Sequence, residues 1–98
     1  MKKIAINGFG RIGRASLKII MDTPGLEVVA INDLLTIENA AYLLKYDSVY
    51  GIYDKEVSID NNYLQIGDKK ISYLSIKNPS DLPWKNLGVD TVIESTGL

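Results

Sequence analysis

Apolar positions in the first half of the chain change period three times. Lys3 to Ile6 is a short Ile-rich run bounded by Asn7-Gly8, the pattern of a buried strand. From about Arg11 to Met21 the period lengthens, and Ile12, Ala15 or Ser16, Ile19 and Ile20 recur as one helical face. Asp22-Thr23-Pro24-Gly25 ends that helix, because proline cannot continue the hydrogen-bond ladder and glycine tolerates the turn. Leu26 to Ile31 predicts a second strand, ending in Asn32-Asp33. Thr36 then caps a helix in which Ile37, Ala40, Ala41 and Leu44 fall at i, i+3, i+4 and i+7.

After Asp47 the period shortens to two. Val57 and Ile59, Leu64 and Ile66, then Ile71 and Tyr73 alternate with polar residues, separated by Asn61-Asn62 and Gly67-Asp68. This predicts an antiparallel meander rather than another strand-helix unit. Asn78-Pro79 and Leu82-Pro83-Trp84 predict a turn with at most one helical turn, capped by Ser80, with Trp84 as an apolar anchor. Asp90 to Ser95 reads as one more buried strand. The order is strand, helix, strand, helix, meander, strand, and its first part is a βαβ unit, whose strands run parallel. A parallel sheet needs cover on both faces, and two helices supply little; on that ground the chain reads as unfinished.

Composition narrows the chemistry. The chain has 98 residues, the size of one small domain or of a piece of a larger one, and a net charge of −1. That balance points to neither nucleic acid nor an anionic membrane, and the longest apolar run, Ala40 to Leu44, is far short of a span. The absence of cysteine excludes disulfides and thiol chemistry, and without histidine zinc and copper sites have no ligands to favour them. Asp54, Glu56 and Asp60 lack calcium-loop spacing, and no serine stands in a G-x-S-x-G setting. Tyr42, Tyr46, Tyr50 and Tyr53 sit near helical spacing; packing against neighbours explains them better than base stacking.

Gly8, Gly10 and Gly13 match G-x-G-x-x-G. Alone the pattern also fits a tight turn, but here it follows a predicted strand and opens a predicted helix. Asp33 lies twenty residues beyond Gly13, at the end of the next strand. In a dinucleotide loop Gly8 permits the turn, Gly10 lets the backbone approach a pyrophosphate, and Gly13 lets helix and strand pack closely. The helix N-terminus offers its free N–H groups to the phosphates. Asp33 then accepts from the ribose hydroxyls and repels a 2′-phosphate, which favours NAD over NADP; the alternative is that it caps the following turn. Arg11 and Arg14 are candidates for phosphate contact, with a surface ion pair the alternative for Arg14.

Lys3-Ile4-Ala5-Ile6-Asn7-Gly8-Phe9-Gly10-Arg11-Ile12-Gly13-Arg14 resembles the N-terminal signature of phosphorylating glyceraldehyde-3-phosphate dehydrogenases. The likeness continues through Val29-Ala30-Ile31-Asn32-Asp33, Leu43 to Val49, Leu82-Pro83-Trp84 and Val92 to Gly97. It implies an α/β fold: a Rossmann-like parallel sheet, present in part, with an inserted antiparallel meander. On this reading residues 1–98 are the N-terminal part of a dinucleotide-binding domain, and the catalytic domain, with its cysteine and histidine, is absent. The cofactor residues implied are Gly8, Gly10, Arg11, Ile12, Gly13, Asp33 at the adenosine ribose, Lys77 on the adenine side, and Thr96 and Gly97 after the fourth parallel strand. No catalytic residue and no metal ligand is expected. In the intact family enzyme a thiolate attacks the aldehyde of glyceraldehyde 3-phosphate, hydride passes to NAD, and phosphate releases 1,3-bisphosphoglycerate. A homotetrameric, cytoplasmic parent is implied, and the chain alone is expected to be inactive with weak NAD affinity. Tyr50 stands where the family usually has histidine, in a segment associated with subunit packing. An erythrose-4-phosphate dehydrogenase half and a non-catalytic NAD-binding module remain the alternatives.

Overall fold

The computed structural model describes residues 1–46 and 53–96. The expected alternation of strands and helices is present: β1 (Lys2–Asn7), α1 (Arg11–Met21), β2 (Leu26–Asn32), α2 (Ile37–Tyr46), β3 (Val57–Asp60), β4 (Tyr63–Ile66), β5 (Lys69–Leu74) and β6 (Thr91–Glu94). A single-turn 3₁₀ helix, Pro79–Asp81, lies between β5 and β6. The strands form one sheet in the order β3-β4-β5-β2-β1-β6. Pairing is parallel between β2 and β5, β1 and β2, and β1 and β6, and antiparallel between β3, β4 and β5.

The meander is therefore not separate from the parallel sheet. Its last strand, β5, pairs antiparallel with β4 and, through Ser72–Leu74, parallel with β2. Two-residue connections make the hairpins, and both enter left-handed backbone at their first residue, Asn61 (φ 54°) and Gly67 (φ 60°). Asparagine and glycine are the residues that accept this conformation most readily.

One face of the parallel strands carries Ile4, Ile6, Val28, Ile31 and Tyr73, which join Phe9, Leu17, Ile20, Ala40, Leu44, Leu64, Ile66 and Ile71 in a single core. Register places Ala5 opposite Ala30 and Asn7 opposite Asn32, with their side chains toward the other face by alternation. The α2 expectation holds: Thr36 Oγ1 accepts from Asn39 N at 3.2 Å, and Ala40 and Leu44 are buried.

Three local readings are corrected. The buried face of α1 is Gly13, Arg14, Leu17 and Ile20, whereas Ile12 and Ile19 are 71 % and 68 % exposed. The helix carries two apolar stripes, and the one through Leu17 meets the sheet. The 3₁₀ turn is capped by Asn78, whose Oδ1 accepts from both Ser80 N (3.2 Å) and Ser80 Oγ (3.0 Å). Ser80 is thus a donor to the cap. β6 is half-buried rather than buried, because among the described residues it is an edge strand, paired with β1 alone.

Candidate functional site at the carboxyl ends of the parallel strands

The chain runs from β1 to β2 to β5 in one direction across the sheet, then returns to place β6 on the opposite side of β1. The crevice between β1 and β6 is a topological switch point, where open α/β sheets bind ligands beyond their strand ends. A cleft of about 790 Å³ opens there, lined by Asn7, Gly8, Gly10, Asn32, Asp33, Leu34, Ile76, Lys77, Pro79, Leu82, Glu94, Ser95 and Thr96.

The glycines have distinct surroundings. A Cβ on Gly8 (φ +99°) would lie 2.6 Å from Ser95 C and Thr96 N, so the loops after β1 and β6 touch through backbone. A Cβ on Gly13 would lie within contact of the Gly8 carbonyl and of Ile6 Cγ2. Gly10, at the cleft, would present its Cβ to no atom within 4 Å, leaving open space directly against its backbone. Gly10 is also the N-cap of α1, and among the described residues no side chain hydrogen-bonds as its cap and no acid stands in its first turn. Open space beside an uncapped helix N-terminus fits a dinucleotide's pyrophosphate.

Phe9, between the first two glycines, is fully buried and pins the loop to the core. Its N–H donates to Asp33 Oδ2 at 2.6 Å, and its carbonyl accepts from Arg14 Nη1 at 2.9 Å. Arg14 is buried at 6 % exposure and, through this bond, braces the glycine loop from behind. Asp33 fills the structural role left open for it, since Oδ1 also accepts from Leu35 N at 2.9 Å. A carboxylate has about four acceptor sites, so these two bonds leave capacity on the half-buried group for ribose hydroxyls.

Beneath the cleft lies a polar chain that sequence patterns do not reveal. Glu94 Oε2 accepts from Asn7 Nδ2 at 2.9 Å, and Asn7 Oδ1 accepts from Asn32 Nδ2 at 3.0 Å. Asn32 also donates to Ile76 O (3.0 Å) and accepts from Ile76 N (2.8 Å). On the β6 side, Ser95 Oγ donates to Gly8 O at 2.6 Å. The Asn-Gly and Asn-Asp pairs read as strand ends in the sequence, which hides this second use. Tyr73 sits behind Asp33 and donates to Leu35 O at 2.8 Å; burial first, then the Asp33 charge, push its phenol above the usual range.

Of the expected cofactor residues, Gly8, Gly10, Asp33, Lys77 and Thr96 line the cleft together. Arg11 and Ile12 stand exposed on the first turn of α1, and Gly13 lies behind the loop. Gly97 lies outside the described residues, as does the Asp47 to Gly51 segment with Tyr50. Among the described residues there is no cluster of three or more potential metal ligands, and no helix long and apolar enough to cross a membrane.

A glycine loop feeding a helix at the switch point, with an acid ending the next strand, defines a dinucleotide-binding domain of the Rossmann class. Residues 2–98 match the family model described as "Glyceraldehyde 3-phosphate dehydrogenase, NAD binding domain", and the chain belongs to that family. It is 53 % identical over 98 % of its length to the glyceraldehyde-3-phosphate dehydrogenase of Buchnera aphidicola from Schizaphis graminum, covering 29 % of that relative. Against glyceraldehyde-3-phosphate dehydrogenase 1 of Kluyveromyces lactis, identity is 52 % over the whole chain and 30 % of the relative. The Geobacillus stearothermophilus enzyme is 48 % identical over 97 % of the chain and 28 % of its own length. The chain thus spans about three-tenths of these relatives. The family's cofactor is NAD.

Proposed function

We propose that this chain is the NAD-holding part of a phosphorylating glyceraldehyde-3-phosphate dehydrogenase, oxidising glyceraldehyde 3-phosphate with inorganic phosphate to 1,3-bisphosphoglycerate. One structural observation carries the assignment of the site: Gly10 offers bare backbone and an uncapped helix end to a cleft that Asp33 closes on one side. The first turn of α1, with Arg11 and Ile12, receives the pyrophosphate. Asp33 holds the adenosine ribose, Lys77 flanks the adenine, and Thr96 and Gly97 border the other half of the cofactor. Bound NAD supplies the hydride acceptor; the residues of this chain bind it, orient it and fix its selectivity. The thiol and base of catalysis come from the rest of a full-length protein, which works as a cytoplasmic homotetramer.

Selectivity rests on Asp33. Its carboxylate repels a 2′-phosphate, and the neighbouring Leu34 and Leu35 offer no cation to hold one. Titration with NAD and NADP tests the reading, and NAD is expected to bind at least tenfold more tightly. Tighter NADP binding would remove Asp33 from the ribose, and binding of neither cofactor by the full-length protein would end the assignment.

A further inference from the structure

We propose that Asn32 is a positioning residue for the adenine side of the cofactor cleft, acting through the Ile76–Lys77 backbone. The inference rests on the NAD-site reading and adds a residue to it. The last paired rung between β2 and β5 joins Asn32 to Leu74, where β5 ends, and Ile76 lies two residues beyond. There the side-chain amide of Asn32 replaces a missing rung. It donates to Ile76 O at 3.0 Å and accepts from Ile76 N at 2.8 Å, as a neighbouring peptide group would. Ile76 is thereby tied to β2 by two hydrogen bonds, although it lies beyond the strand.

Ile76, Lys77, Pro79 and Leu82 all line the cleft, and this amide pair holds the first of them to β2. Lys77 itself is exposed, so its backbone must be set from elsewhere. Asn32 is in turn oriented from behind: its Nδ2 also donates to Asn7 Oδ1, and Asn7 Nδ2 donates to Glu94 Oε2. Both asparagines are buried, at 8 % for Asn7 and 5 % for Asn32. Their amides have a fixed sense in this chain, because Ile76 presents one donor and one acceptor to Asn32. An aspartate at position 32 keeps the shape and the bond from Ile76 N, but faces Ile76 O and Asn7 Oδ1 with no proton to give.

The test compares ligand fragments on the full-length protein. Asn32→Asp is expected to weaken AMP binding about tenfold while leaving inorganic pyrophosphate, held by the glycine loop, within about twofold. General loosening of the fold would weaken both. Lys77→Met provides the second measurement: if Asn32 acts by placing Lys77, the two substitutions together cost no more AMP affinity than Asn32→Asp alone. Where Asn32→Asp fails to fold, Asn7→Ser, which frees Asn32 from behind, carries the same comparison and the same non-additivity with Lys77→Met. Unchanged AMP affinity, equal losses for both fragments, or additive losses with Lys77→Met overturns the proposal. Failure of the wild-type protein to bind NAD at all would instead strike the site assignment on which it rests.

Discussion

Three glycines within six residues meet three different demands, and substitutions should separate them. Gly13→Ala forces a methyl group against the Gly8 carbonyl and is expected to destabilise the fold by about 1–3 kcal/mol, read by denaturant midpoint. Gly10→Ala meets no neighbour and its backbone (φ −79°, ψ −159°) suits any residue, so its cost is confined to the N-cap preference for glycine over alanine, about 0.5–1 kcal/mol. NAD affinity should nonetheless fall, because the new methyl group stands in the cleft. Equal effects of the two changes on stability would contradict this division. Asp33 shows the opposite economy, with one carboxylate latching Phe9 and Leu35 while facing the cleft. Asp33→Ala should therefore lower stability even without cofactor, by roughly 1–3 kcal/mol for the donors it strands.

At the scale of elements, α1 shows what a periodic pattern leaves undecided. Its two apolar stripes both fit a helical period, and only the sheet beneath selects Gly13, Leu17 and Ile20 over Ile12 and Ile19. Leu17→Ala should cost about 2–5 kcal/mol, whereas Ile19→Ala should stay within about 0.5 kcal/mol. Comparable losses in thermal unfolding would reverse the assignment. The glycine spacing, Asp33 and the Thr36 cap were legible because each follows from a local rule about backbone or termini. The parallel seat of β5 beside β2 was not, since alternation reports which face is buried and not which neighbour a strand adopts. The asparagine chain under the cleft was hidden for a related reason: Asn7 and Asn32 are bonded to each other across 25 positions. Nothing local distinguishes them from other residues that end a strand.

At the scale of the molecule, pH should act through buried phenols. Burial first, then Asp22 and Asp54, push Tyr53 up to about 12 from 10.0. The folded state then holds that proton more tightly than the unfolded chain, so this contribution is intact below pH 10 and is lost as pH rises toward 12. Lys18 Nζ, 4.9 Å from the Tyr53 ring centroid, and Lys45, bonded to the Tyr53 carbonyl at 2.8 Å, face the same residue without reversing that direction. The Tyr53 hydroxyl is buried with no hydrogen-bond partner among the described residues, so Tyr53→Phe should cost no stability at pH 7 and flatten the alkaline slope. A steeper slope in that variant would contradict it. The pairing of β1 with β6 carries a consequence for the order of events at the ribosome. Lys3 N donates to Asp90 Oδ2 across 87 positions, and Ser95 N donates to Asn7 O at the other end of the same pair. At roughly 5–20 residues per second, the glycine loop emerges on the order of ten seconds before the strand that closes its cleft. The first motif made is the last to become a site, because β6 must be synthesised before it can pair with β1.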